Sequence, residues 1–273
     1  MLKDITLGQY FPGDSVIHRL DPRMKLIAAI IFISAIFMAS GLYTLIIVFA
    51  ANFVLIALSG IPFKTVAKAL KPLLFIIVFT FAINIFMTTG DTPLIDYGII
   101  HVYLEGVMFA FFMVVRIVSL VSASSVLITY TTSPTMLTDA IERLLSPLKV
   151  VRLPVHEFAM MMTIALRFIP TLIDETDKII NAQKARGADF YSGNVLKRAQ
   201  ALIPVLIPLI ISAFRRADEL ATAMECRCYR GGEGRTKLKS PKAGAIDAAA
   251  LSCAAVFLGG IIVLQQFFPG TVR

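Results

Sequence analysis

Two arginines stand among neighbours that make them chemically distinctive. "AQKARGAD" at 182–189 sets Arg186 between Ala185 and Gly187, and "MECRCYRG" at 224–231 sets Arg227 between Cys226 and Cys228. A guanidinium offers five donors in a fixed fork to a carboxylate or to backbone carbonyls. Small residues on either side let a helix end that carries it enter a narrow groove. The two sites share a frame: Asp177 and Asp218 each precede their arginine by nine residues, so the whole pattern recurs after 41 residues. A cation at a helix C-terminus also complements the macrodipole, by about 0.3–1 kcal/mol. That accounts for a positive charge, but not for the small flanks or the recurrence. Two such ends fit a partner that presents two similar grooves, which points to a dimeric protein beneath a membrane.

Other residue types capable of chemistry do not assemble into a reaction site. Cys226, Cys228 and Cys253 are the only cysteines; the first two make half a metal site, with no second Cys or His pair at ligand spacing. "HEFAM" at 156–160 begins like a zinc-protease motif but lacks the second histidine four residues on. No G-x-x-x-x-G-K-[ST] phosphate loop occurs, so any ATP is bound by another chain. Arg116 falls within an apolar stretch, where a charge is a functional candidate by default. No acidic residue stands at helical spacing from it, so it reads as pairing within a bundle interior or marking a tilted span. Glu105 reads as an interfacial residue. A competing reading, an intramembrane enzyme using Arg116, Glu105 or His156, has no motif chemistry behind it. A self-sufficient carrier would show paired repeats with broken helices at mid-membrane, whereas the repeat here lies at charged helix ends.

The elements that must hold these residues are apolar. Of 273 residues, 57% are hydrophobic and 16% charged, against roughly 25% charged in soluble domains. This composition predicts an all-helical integral membrane protein. Stretches of about 20 apolar residues fall at 24–41, 42–59, 72–89, 104–130 and 245–268, giving five spans, the first two meeting in a tight hairpin at Ser40–Gly41. The net charge of +8 matters less than its distribution. Lysine and arginine concentrate in 1–23, 60–71 and 131–244, while "TGDTPLIDYGIIHVY", with Asp91, Asp96 and His101, has none. The positive-inside rule then sets the N-terminus in the cytoplasm and, with five spans, the C-terminus outside, leaving only Arg116 and Arg273 off the cytoplasmic side. Residues 1–23 lack the apolar core of a cleaved signal. "LDPRMKL" at 20–26 reads as a Pro-bounded turn before the first span, with Arg23 and Lys25 at the headgroups.

Three regions follow: 1–130 with spans one to four, 131–244 as cytoplasmic or interfacial helices, and 245–273 with the last span. The middle region opens with Ser133 as an N-cap and Pro134 at the first helical position. Met136, Leu137, Ala140, Ile141, Leu144, Leu145 and Leu148 then recur at helical spacing up to Pro147. An amphipathic helix is expected at 155–186, kinked at Pro170, and another at 194–228 that begins with the apolar run "ALIPVLIPLIISAF". Read as ordinary spans, these two would preserve the orientation, but Arg167 and the dense charge at 174–186 and 215–230 oppose it.

The chain resembles the transmembrane coupling subunits (EcfT) of energy-coupling factor transporters, a class of ABC transporters. The resemblance rests on "DITLGQYFPGDSVIHRLDPRMKL" at 4–26, "ALRFIPTLIDETDKIINAQKARGADF" at 165–190 and "RRADELATAMECRCYRGG" at 215–232. It implies a non-catalytic scaffold in the cell membrane of a prokaryote, taking part in vitamin or other micronutrient uptake. In that family an Ala-Arg-Gly type triplet ends each of two coupling helices and docks on one of two homologous ATPase subunits (EcfA and EcfA'). By resemblance these are Ala185, Arg186, Gly187 and Cys226, Arg227, Cys228; the second triplet departs from the pattern in its cysteines, which are also small and easily buried. No cofactor is implied for this chain, ATP and Mg belonging to the partner ATPases, and no nucleic acid is implied. The family's coupling helices offer an apolar platform to a substrate-binding membrane protein, the S component. Met160, Met161 and Met162 in "FAMMMTIALRF" are candidates for it, since Met suits surfaces that accommodate several partners. The N-terminal match is closer to the shared form of the subunit, which serves several S components, than to the dedicated cobalt or nickel form. The transported substrate would be chosen by the S component.

Overall fold

The computed structural model of the chain describes residues 10–90, 92–97, 100–147, 154–190, 194–231 and 244–267. Asp91, Leu148, Arg273 and the first residues of the 4–26 stretch lie outside them. The elements in order are α1 (Val16–Arg19), α2 (Pro22–Met38), α3 (Leu42–Ser59), α4 (Phe63–Leu70), α5 (Leu74–Met87), a strand pair β1 (Pro93–Tyr97) and β2 (Ile100–Tyr103), α6 (Leu104–Ser124), α7 (Pro134–Leu144), α8 (Val155–Ala185), α9 (Val195–Cys226) and α10 (Ala245–Phe267). The five stretches marked as spans coincide with α2, α3, α5, α6 with its extension, and α10. A 3-10 turn at Lys71–Leu73 joins α4 to α5, so that 63–87 forms one run of 25 residues. By length and composition α8 and α9 are also able to cross a membrane. The number of spans is therefore approximate, while the all-helical membrane class is plain. Additions among the described residues include the short helices α1 and α4 and the antiparallel ribbon β1–β2 between the third and fourth spans, with Tyr97 opposite Ile100 and Asp96 opposite His101.

Two compact units divide the chain: one formed by Gly8–Ala140 with Ser240–Arg273, the other by Ile141–Lys239. Between α6 and α7, at the edge of the first unit, Ser125–Tyr130 continues α6 as a π-helix. Ser133 and Pro134 do start α7 as expected, the Met136 N–H donating to Ser133 Oγ at 3.3 Å. The helix ends at Leu144, short of Pro147.

The first unit is a membrane bundle. Its core joins Phe32, Ala35, Ile36 and Ala39 of α2 to Val48 of α3, Ala123 of α6 and Ile261 of α10. Much of this contact is between small residues. That follows from the solvent: lipid supplies no hydrophobic push between helices, so association relies on close backbone approach and interhelical hydrogen bonds. Gly106 shows the first. A Cβ there would come within 3.3 Å of the backbone oxygens of Asn84, Ile85 and Thr88 at the end of α5. Asn52 shows the second, its buried Nδ2 on α3 donating to Ser119 O at 3.2 Å and Ser122 Oγ at 2.6 Å on α6. Outward faces of α3 and α5 are strongly exposed and apolar, for example Phe53, Phe75, Phe79 and Met87, as lipid contact requires.

In the second unit α8 runs through Pro170 as one helix, and α9 runs through Pro204 and Pro208. The two pack against each other in antiparallel fashion. Glu175 pairs with Arg216 in the middle, and Gln183 Nε2 donates to Pro204 O at 3.3 Å further along.

Candidate functional site

The two arginine motifs end α8 and α9 in the same way. Past the last helical residue of α8, Ala185, Arg186 is the C-cap and Gly187 adopts a left-handed φ of +86°. The Gly187 N–H donates to Lys184 O at 2.9 Å, and the Ala188 N–H to Gln183 O at 3.0 Å. This double bond pattern is a Schellman cap, which satisfies carbonyls that the helix end would otherwise leave open. α9 repeats it: Cys226 is the last helical residue, Arg227 follows, Cys228 has φ +55°, and the N–H groups of Cys228 and Tyr229 donate to Glu225 O at 2.8 Å and Met224 O at 3.0 Å.

The cap supplies a physical reason for the residue after each arginine that groove entry alone does not. A left-handed position favours glycine, because a Cβ there crowds the following carbonyl. Nothing lies within 4 Å of a Cβ built on Gly187, so its requirement is conformational and not one of space. Cys228 is the one non-glycine residue with positive φ among the described residues. It holds that conformation at a cost of about 1 kcal/mol. Ala185, Arg186 and Gly187, like Cys226, Arg227 and Cys228, are exposed. Neither guanidinium has a hydrogen-bond or ion-pair partner among the described residues, so the donors of both exposed forks are uncommitted there, Arg227 lining the edge of a cleft.

Antiparallel pairing puts these tips at opposite ends of the helix pair. From the contact of Gln183 with Pro204, the rise of 1.5 Å per residue places Arg186 and Arg227 roughly 39 Å apart along the pair. Beside Arg227 a cleft of about 610 Å³ is lined by Met160 and Ile164 of α8 and by Leu220, Met224 and the Cys228–Gly231 turn. It continues as an apolar groove past Phe168, Leu172 and Ala213. The three methionines separate here. Met160 lines the cleft, while Met161 and Met162 are exposed on the outside of α8. The apolar run of α9 is likewise exposed at Leu206, Ile207, Ile210, Ile211 and Phe214.

In the bundle unit, "LDPRMKL" gains a role that its sequence did not disclose. Asp21 caps α2 by accepting the Arg23 N–H at 3.0 Å, and its own N–H donates to Asp247 Oδ1 at 2.7 Å, 226 residues away. Asp247 Oδ2 accepts the Gly244 N–H at 2.7 Å, starting α10. Lys25 turns inward and is buried, its ammonium donating to Thr131 O at 2.8 Å and His18 O at 3.3 Å. Together these residues tie α1, α2, the end of α6 and α10 into one knot. Charge so deeply placed persists only where it is hydrogen-bonded and paired, and carbonyls provide that here.

The charged residues weighed for catalysis are engaged in local structure. Arg116 Nη2 donates to Ala39 O at 2.6 Å, so it caps the end of α2 and pairs within the bundle interior as expected. Glu105 accepts from Thr92 Oγ1 at 2.8 Å. His156 Nδ1 lies 2.9 Å from Glu142 Oε1 at the start of α8.

The profile of the family described as CbiQ, cobalt transport protein, matches residues 13–238. Over 268 residues, 98% of this chain and 100% of the relative, the chain is 52% identical to the "Energy-coupling factor transporter transmembrane protein EcfT" of Ruminiclostridium cellulolyticum. It is 51% identical to the protein of that name in Clostridium kluyveri over 271 residues, covering 99% and 100% of the two chains. To the Bacillus subtilis protein of that name it is 46% identical over 239 residues, 88% and 89% of the two. A multi-pass bundle of apolar helices, a separate pair of long Arg-tipped helices and these likenesses over nearly the full length converge: the chain belongs to the CbiQ family of cobalt transport proteins, as a transmembrane component of an energy-coupling factor transporter.

Proposed function

We propose that the chain is the non-catalytic scaffold of a micronutrient importer, coupling ATP hydrolysis by two homologous cytoplasmic ATPase subunits to reorientation of a substrate-binding S component. The observation that carries this reading is the duplication of the tip. Two helices end in the same Schellman cap, each presents an exposed arginine with uncommitted donors, and antiparallel pairing directs them to opposite ends. Such an arrangement suits a partner with two similar grooves related by a two-fold axis. ATP and its Mg bind in the partner subunits. When nucleotide draws the grooves together, the tips follow, and the helix pair transmits the movement to the face that meets the S component. The exposed apolar residues of α9 together with Met161 and Met162 supply that face, and Met160 lies in the cleft behind it. The N-terminus is cytoplasmic and the C-terminus is outside.

The test is to purify the complex carrying Arg186→Ala and Arg227→Ala together. Loss of the ATPases from the complex, or ATP hydrolysis without uptake, is expected. Unchanged assembly and uptake would reject the proposal. Mass spectrometry of what co-purifies separates the shared form from a dedicated cobalt or nickel form. Several unlike S components indicate the shared form, and a single constant one the dedicated form.

A further inference from the structure

Arg116 does more than cap α2. At the end of the bundle away from the Lys25 knot, the α2–α3 turn encloses a cavity of about 130 Å³ lined by Ala39, Ser40 and Gly41 of the turn, Leu45 of α3, and Phe109, Phe112, Met113 and Arg116 of α6. By volume it holds about four waters. Of the five guanidinium N–H groups, one on Nη2 goes to Ala39 O, and Nη1 makes only a long approach of 4.0 Å to Met113 Sδ. Nε is buried with no partner. The cation thus keeps donors unspent, in a site with one charged group, the Ser40 hydroxyl and otherwise apolar side chains.

Unspent guanidinium donors match two oxygens of a tetrahedral anion, which accept them bidentately. We infer that this cavity binds the phosphate of a phospholipid from the leaflet at that end of the bundle. The walls favour a lipid over a free anion. Soluble phosphate would exchange its hydration for Leu45, Phe109 and Phe112, whereas a phospholipid brings its own apolar part to lie along them. Position agrees, because the turn ends two spanning helices at the depth where headgroups begin. Gln265 of α10 also reaches this turn, its Nε2 donating to Ser40 Oγ. An occupied cavity would therefore bear on the contacts that hold α2, α3, α6 and α10 together.

The inference is tested on the full chain, purified with its partners in mild detergent, stripped of loosely held lipid and titrated with phosphatidylglycerol. Native mass spectrometry counts what remains bound. One lipid per chain is expected to be retained by the natural sequence. Loss of one charge-assisted contact is expected to weaken retention by about tenfold or more in Arg116→Gln. Leu45→Phe, which fills the cavity and leaves the arginine in place, should weaken it likewise and decides the matter if Arg116→Gln does not fold. Equal retention by Leu45→Phe would overturn the inference, as would displacement of the lipid by excess inorganic phosphate, which would assign the site to a soluble anion. A cavity holding only water, with no lipid retained by the natural sequence, would overturn it too.

Discussion

Glu175 and Arg216 occupy matching places in α8 and α9, each eleven residues before its helix's tip arginine, and they pair with each other at 2.6 Å. The 41-residue recurrence is thus a structural one: equivalent positions meet where the antiparallel helices pack. Both side chains are about a third exposed, so the ion pair contributes no more than about 1 kcal/mol. Its larger role is to set register. Glu175→Arg should lower the thermal stability of the purified chain by about 1 kcal/mol through like-charge contact. The exchanged pair, Glu175→Arg with Arg216→Glu, should recover most of it; a double variant no better than the single would show that the pairing is incidental.

The caps make opposite predictions for the two tips. Gly187→Ala forces a Cβ into a left-handed position and should cost about 1 kcal/mol at the end of α8. Cys228→Gly relieves the same strain and should stabilise the end of α9 by about 0.5–1 kcal/mol. Amide hydrogen exchange over 183–188 and 224–229 reads both. Cys228→Ser keeps the left-handed cost and should leave exchange at α9 unchanged, which separates backbone strain from thiol chemistry.

Arg186→Lys and Arg227→Lys keep the charge that the helix dipole favours but lose the fork. If the tips work by forked donation, each Lys variant should bind the ATPase partners more weakly than the natural chain and more tightly than the Ala variant. Removal to Ala costs about 1.5–3 kcal/mol, or ten- to over a hundredfold in affinity. Lysine variants that match the natural chain in a pull-down titration would reduce the tips to simple point charges.

Asp247 joins α10 to the start of α2 through Oδ1 and caps its own helix through Oδ2. Asp247→Ala leaves the Asp21 and Gly244 N–H groups without their acceptor and strips the carboxylate from the neighbourhood of buried Lys25, and the loss should be about 2–4 kcal/mol. Chemical denaturation of the solubilised chain, followed by circular dichroism, measures it.

Asn52→Ala removes a donor to Ser119 O and Ser122 Oγ. Hydrogen bonds between spanning helices are worth only about 0.6–1.7 kcal/mol, so a small loss is expected in the same denaturation assay. A loss above that range would mean that Asn52 organises more of the α3–α6 contact than these two bonds.

What could be read from the chain alone depended on how far apart the cooperating residues lie. Spans follow from local apolarity, and the paired arginines from a local motif repeated at fixed distance. Ser133 and Pro134 start α7 because a cap is local as well. Lys25 was placed at the headgroups because adjacent lysine and arginine at the start of a span usually sit there; its burial depends on Thr131 and on Asp247, more than a hundred and more than two hundred residues away. Arg116 lacked an acidic partner at helical spacing because its partner is a backbone carbonyl, which every residue has and no pattern marks. The ribbon at 93–103 was missed for want of length: four or five residues in each strand carry too little alternation to stand out. At Cys228, small size was legible but the left-handed backbone was not, since glycine is the residue that ordinarily signals it.

Equal arms on either side of the Glu175–Arg216 pairing make the two helices a balance beam. On the proposed coupling to two ATPase subunits, a push received at one tip would be matched in leverage by a push at the other, and neither subunit would have mechanical precedence. Phase is constrained as tightly as length. One residue inserted between Arg216 and Arg227 would advance that tip by about 1.5 Å and turn it by about 100°, spoiling the match while leaving every residue of the motif in place.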